Sequence, residues 1–406
     1  MARIPHRRST MMAAITGLAL VALAGHPPAA GAQADFVIEG EAGFVVSHIE
    51  YALSHDAEET GACPDGMSLN IEEIYRMTPE GMQREGESVQ DYTQRLFGEA
   101  FRFGTGPNGE NLCMNPEAGG PDPHHRSAVV ADTPVFGINR DGHISTATST
   151  APGSCPHVDL VGMDGERGID NQFFRAVGCI HAYQPTGSAP GFVVEMLTGA
   201  WSILITLSDV DDIRNDDYVE VGMYANADPI QVSAAQEPIE YATYAVDQDP
   251  RFQARARGRI VDGVLTTEPV DVRFRKVTNS ILLERPLRDA VVQMTVGEDG
   301  VLEGYLAGYA GVEELYDSEF GFRNGLEGLE RSGEPADSRL ISVSAGGKAR
   351  TLGYTCNGIY HALYEHADGH PDPETGQCTS ISVQYRVKAI PAFVVDAPTE
   401  LTSAAD

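Results

Sequence analysis

The stretch Arg251–Phe274, RFQARARGRIVDGVLTTEPVDVRF, decides the fold class. Arg255, Arg257 and Arg259 alternate with smaller or apolar residues, Asp262-Gly263 interrupts, and a second alternating run begins at Val264. Alternation with period two sends successive side chains to opposite faces of a sheet. Asp-Gly between two such runs marks a tight hairpin, because both residues reach positive φ at little cost. The stretch therefore predicts strands over Arg251–Val261 and Val264–Phe274 joined by a two-residue turn, with Arg257 opposite Glu268.

The same grammar recurs on both sides. Asp299-Gly300 separates the alternating runs Ala290–Val296 and Val301–Tyr309, and Ser202–Leu207 and Tyr218–Tyr224 also read as strands. With 43 Gly and 24 Pro the chain is rich in turn formers, as β-rich proteins are. Nearer the N-terminus, Phe36–Ile38 and Phe44–Ile49 read as short strands. Ser88 followed by Val89, Tyr92, Leu96 and Phe97 reads as a capped amphipathic helix. Gly311–Leu329 carries a further helical pattern. Near the C-terminus, Cys356–Ala367 reads as a helix, and Ile381–Val387 and Ala392–Val395 as strands.

The predicted class is a β-rich α+β protein: a central antiparallel β-sandwich or open barrel with disulfide-pinned peripheral helix and loop units. The expected organisation is a signal peptide over residues 1–32 and a mixed α/β region over 33–132. A β-rich domain over 133–345 and a helix-loop-strand unit over 346–406 follow.

The leader reading rests on Arg3, Arg7 and Arg8, the uncharged run Met11–Gly25, and small residues around Ala30, Ala32 and Ala34. That three-part layout predicts export, secreted or periplasmic, and no later stretch is apolar for long enough to span a membrane as a helix. Six cysteines agree with an oxidising compartment. No CxxC occurs, so disulfides are expected over metal knuckles. Six cysteines allow many connectivities; pairing by nearness along the chain suggests Cys63–Cys113, Cys155–Cys179 and Cys356–Cys378.

With 59 acidic against 28 basic residues the formal charge is −31, which excludes nucleic acid and anionic membrane surfaces as expected partners. It suits divalent cations instead. The densest set of oxygen donors is DLVGMDGERGIDN, Asp159 to Asn171, where glycines bend the chain between Asp159, Asp164, Asp170 and Asn171. Such a loop suits calcium, which takes six to eight oxygens, although the EF-hand spacing is absent. The competing reading makes Asp170 or Asn171 the cap of a following helix. The run Asp209–Glu220 is also acidic, but Arg214 stands where an EF-hand loop needs glycine, and a solvated loop explains it as well.

Other patterns carry less. His361, His366 and His370 crowd one region with Asp368, without a shared helical face or an HExxH motif. Gly104–Gly109 matches GxGxxG in letters but follows a helix, so it reads as a turn. Neither GxSxG nor SxxK occurs. The alternating arginines read as an anion-binding patch or as charges neutralised across strands. Two functions fit this inventory. One is an exported binding or surface-associated protein, calcium-stabilised, with an extracellular polymer or protein as partner. The other is an extracellular hydrolase using paired carboxylates, a chemistry that leaves no short motif.

Overall fold

The computed structural model describes residues 36–396, apart from 56, 130–132, 190, 198–200, 279–280 and 325–337. The leader segment lies outside the described residues. Gln33–Asp406 form one compact unit.

Its centre is a large antiparallel sheet. The path of paired strands runs Ala42–Tyr51, Ile203–Ser208, Asp216–Ala225, Gln253–Val261, Val264–Thr267, Ile281–Val296, Leu302–Gly311, Cys378–Pro391 and Gly369–Pro371. Val270–Thr278 pairs with Ile281–Val296 to one side of that path. Cys378–Pro391 also pairs with Ala42–Tyr51, so the strand pairings close into a ring. Strands from the beginning, middle and end of the chain thus share one sheet.

The hairpin at Asp262-Gly263 forms as its letters require. Val261 pairs with Val264, and Asp262 (φ 52°) and Gly263 (φ 80°) both take the left-handed conformation of a two-residue turn. Beyond it the run read as one strand breaks: Val264–Thr267 ends before Glu268-Pro269, and Val270–Thr278 starts a new strand that pairs with an earlier stretch of the same neighbour, Ile281–Val296. Proline cannot donate to the ladder, which explains the break. At Gly304 the neighbouring strand approaches so closely that a Cβ would lie 2.2 Å from the Gln293 carbonyl oxygen, so only glycine fits there.

Two other expectations change. Phe36–Ile38 forms no strand, only an isolated bridge between Ile38 and Glu41. In the segment from Gly311, a short α-turn over Val312–Leu315 passes into a π-helical turn over Tyr316–Phe320, which buries Glu319. The helix Val89–Phe103 is present, capped by Ser88, whose hydroxyl accepts from Asp91 N at 3.1 Å.

The disulfides differ from nearest-neighbour pairing throughout. The bonds are Cys63–Cys179, Cys113–Cys356 and Cys155–Cys378, with sequence separations of 116, 243 and 223. Each joins parts of the chain more than 100 positions apart, and proximity along the chain carries no information about such contacts. Within the largely aliphatic main core a group of aromatic rings packs together: Tyr51 stacks on Tyr385 with centroids 5.1 Å apart and meets Phe173 at 4.7 Å. No helix among the described residues is long and apolar enough to cross a membrane.

Candidate cation site and a charged cavity

The bond from Cys155 to Cys378 pins the loop after Ser154 against the end of the sheet. There Cys155 N donates to the Asp368 carbonyl at 2.8 Å. Two residues on, the His157 ring lies between carboxylates. Its Nδ1 is 2.7 Å from the Cys155 carbonyl oxygen, which can only accept, so Nδ1 carries a proton. Its Nε2 is 2.9 Å from Asp159 Oδ1 and 3.9 Å from Asp368 Oδ2. One atom each of His157, Asp159 and Asp170 lie within 4.8 Å of one another.

Backbone amides orient the three carboxylates. Asp159 Oδ2 accepts from Ser145 N, Asp170 Oδ2 from Arg140 N at 2.8 Å, and Asp368 Oδ1 from Ser382 N at 2.7 Å. In each, one oxygen is held and the other is left to the cluster. Asp170 Oδ1 and Asp368 Oδ2 are buried with no hydrogen-bond partner, as are the hydroxyls of the adjoining Ser145 and Ser380. A buried polar atom without a partner costs on the order of 1–3 kcal/mol, more when charged, so several together need an explanation.

Electrostatics sharpen the point. Burial, then the nearby charges of Asp141 and Asp159, push the Asp170 carboxyl up to about 7. Burial raises Asp368 to about 6 in spite of His157. Burial alone would lower His157, but its hydrogen bond to Asp159 and the field of Asp368 carry it up to about 9. Without a metal, the cluster holds its charge with an imidazolium. With a divalent cation, a neutral His157 would present Nε2 as a ligand, its tautomer already set by the Cys155 carbonyl as metal-binding histidines usually are.

Of the residues singled out in the Asp159–Asn171 segment, the structure brings Asp159 and Asp170 together. Asp164 sits on the exposed turn between the short strands Leu160–Gly162 and Arg167–Ile169, accepting from Glu166 N at 2.9 Å. Asn171 lies in the core, where its Nδ2 donates to the Ala52 carbonyl and its Oδ1 has no partner. Neither Asp170 nor Asn171 caps the helix Phe173–Val177 with its side chain; the cap position is Gln172, without a side-chain bond. The histidines near the C-terminus do not converge: His366 Nε2 meets Ser127 Oγ at 2.8 Å, and His370 Nε2 meets Asp289 Oδ2 at 3.1 Å. Gly104–Gly109 is a turn closed by Asn108 on the Glu110 carboxylate. The arginine patch is partly neutralised, Arg255 by Glu220, Arg273 by Glu284 and Arg275 by Asp247, while Arg257 lies over the Tyr218 ring.

A second centre was not anticipated. Glu319, fully enclosed, pairs through Oε2 with Lys276 and with Arg285 Nη2 at 2.5 Å, and through Oε1 with Lys348 Nζ at 2.8 Å. Burial opposes its charge, but Lys276, Lys348 and Arg285 together hold the carboxyl well below the usual range. A cavity of about 450 Å³ opens beside this centre, lined by Glu195, Lys276, Glu319 and Lys348 among others.

As a single histidine His157 has no motif spacing in the sequence; its place two residues from both Cys155 and Asp159 is the signal it carries. Lys276 and Arg285 did leave a trace. In the alternation of their strands each falls on the face of its buried neighbours, Val272 and Phe274 for one, Leu283 and Leu287 for the other.

Comparison with known proteins finds no family model, no curated protein and no solved structure that matches the chain. Three disulfides are compatible with an extracellular or periplasmic location.

Proposed function

We propose that the chain is an exported binding protein whose fold is held by a divalent cation at His157, Asp159, Asp170 and Asp368. The observation that supports this reading is the convergence of one imidazole and two carboxylates within 4.8 Å, beside buried carboxylate oxygens that have no partner. Imidazole nitrogen in the donor set favours zinc or manganese over calcium, which prefers an all-oxygen shell. The ring of strand pairings favours the barrel form of the expected architecture. Its partner, on the sequence reading, is an extracellular polymer or another protein.

The test is elemental analysis of the purified oxidised protein, followed by thermal unfolding with chelator, then with zinc, manganese or calcium added back. One equivalent of metal and a chelator-sensitive midpoint support the proposal. A metal-free protein whose midpoint no ion moves returns the site to a buried imidazolium flanked by carboxylates.

The hydrolase reading draws on a different observation, that Glu195 and Glu319 line one cavity. Burial raises Glu195 while three cations depress Glu319, which is the divergence expected of an acid and its partner. Against it, both Glu319 oxygens are committed to ion pairs, and a general base needs a pKa near the working pH. Glycan hydrolysis abolished by Glu195→Gln would favour this reading over the first.

A further inference from the structure

The cavity beside Glu319 has an imbalance of charge. Among the described residues, three cations, Lys276, Arg285 and Lys348, surround a single fully buried carboxylate, and the half-buried Glu195 is the other acid on the cavity wall. The side chains of Lys276, Arg285 and Lys348 are 3%, 8% and 11% exposed, so water does little to relieve them. Burying an uncompensated charge is expensive, and a site with surplus cations calls for an anion. Burial, then the neighbouring Arg285, pull Lys276 well below the ordinary lysine value in spite of Glu319, a measure of that crowding.

Three features suit the space to a ligand. Among the described residues the Lys276 ammonium has one hydrogen-bond partner, Glu319, so two of its three donors are unspent. The wall formed by the helix Ser338–Leu352 is bare at Gly347, where an added Cβ would meet nothing within 4 Å. Across the cavity, Phe192 offers an apolar surface, with Lys276 Nζ 4.7 Å from its ring centroid.

We propose that this cavity binds a small organic carboxylate, its head group held by the ammonium groups of Lys276 and Lys348 and its apolar part against Phe192. A monoanion matches a surplus of one positive charge when Glu195 is ionised. A volume of about 450 Å³ falls in the range of small-molecule sites. The inference extends the binding-protein reading by naming a ligand class, and it stands whether or not the cation site is filled.

The experiment is titration calorimetry of the oxidised full chain, in chelator and at constant ionic strength. The probes are sodium benzoate, sodium hexanoate, inorganic phosphate and benzylamine. Keeping chelator present separates this result from the fate of the cation site. Saturable binding of benzoate or hexanoate is expected, weakened by at least about tenfold in Lys348→Met. Gly347→Leu should fill the cavity, fold normally because leucine is the better helix former, and abolish binding. The proposal is overturned if no carboxylate binds, if phosphate binds and the carboxylates do not, or if Gly347→Leu folds and binds unchanged.

Discussion

Cys155 is bonded to Cys378 across 223 positions, and at that junction Cys155 N also donates to the Asp368 carbonyl. The bridge therefore does more than restrict the unfolded chain: it sets His157 beside Asp368. Replacing both cysteines by serine should lower stability by roughly 3–5 kcal/mol, the range for bridges that close long loops. It should also abolish any response of the melting temperature to zinc or manganese. Removing Cys113 and Cys356 should lower the midpoint and leave the metal response in place. Thermal unfolding of the two double variants, with and without metal, separates these outcomes.

That bridge also marks how far the sequence could be read. The hairpin at Asp262-Gly263 was legible because its chemistry is local: two residues that tolerate positive φ, flanked by alternation. The disulfides were not, because their partners stand 116, 243 and 223 positions apart and meet only in the tertiary fold. The cation cluster falls between these cases. Asp159 and Asp170 stand out as donors on a bent loop, but Asp368 comes from a remote part of the chain, next to the strand Gly369–Pro371 that ends the path of paired strands. Glu319 left no trace, since one acidic residue in a run containing Glu313, Glu314 and Asp317 looks like a solvated face.

Asp170→Asn distinguishes a metal site from a charge network. In chelator the variant loses one of three crowded carboxylates, so its melting temperature should equal or exceed that of the parent. With zinc or manganese the order should reverse, because the parent gains stability by binding and the variant does not. At a metal concentration about 100 times the dissociation constant the gain is about 2.7 kcal/mol. A variant less stable than the parent in both conditions would point instead to a structural role for the ionised carboxylate.

His125 supplies a pH dependence remote from these groups in the chain. Its Nε2 donates to the Ala176 carbonyl at 3.0 Å, Nδ1 is buried without a partner, and burial lowers its pKa from 6.5 to about 4. The unfolded chain thus takes up a proton below about 6.5 that the folded chain refuses until about 4. Stability should fall as pH drops through that window, by about 2–3 kcal/mol from this one residue. Urea unfolding at pH 7 and 4.5 should show a smaller loss in His125→Gln, whose amide can still donate to Ala176.

Glu319→Gln tests the buried centre most directly. The substitution keeps the shape and removes the only carboxylate that Lys276, Arg285 and Lys348 share through ion pairs among the described residues. Removing one partner of a buried ion pair typically costs about 3–5 kcal/mol, because the remaining charge has nowhere to go. The pH dependence has a definite sign. Since the folded carboxyl lies well below its unfolded value, its contribution is present above the unfolded carboxylate range and is lost as pH falls toward the depressed value. Adding Lys276→Met to Glu319→Gln should recover part of the loss by removing one of the stranded cations. Chemical unfolding of the single and double variants measures the coupling. A double variant no more stable than Glu319→Gln alone would mean that shape, not surplus positive charge, sets the cost.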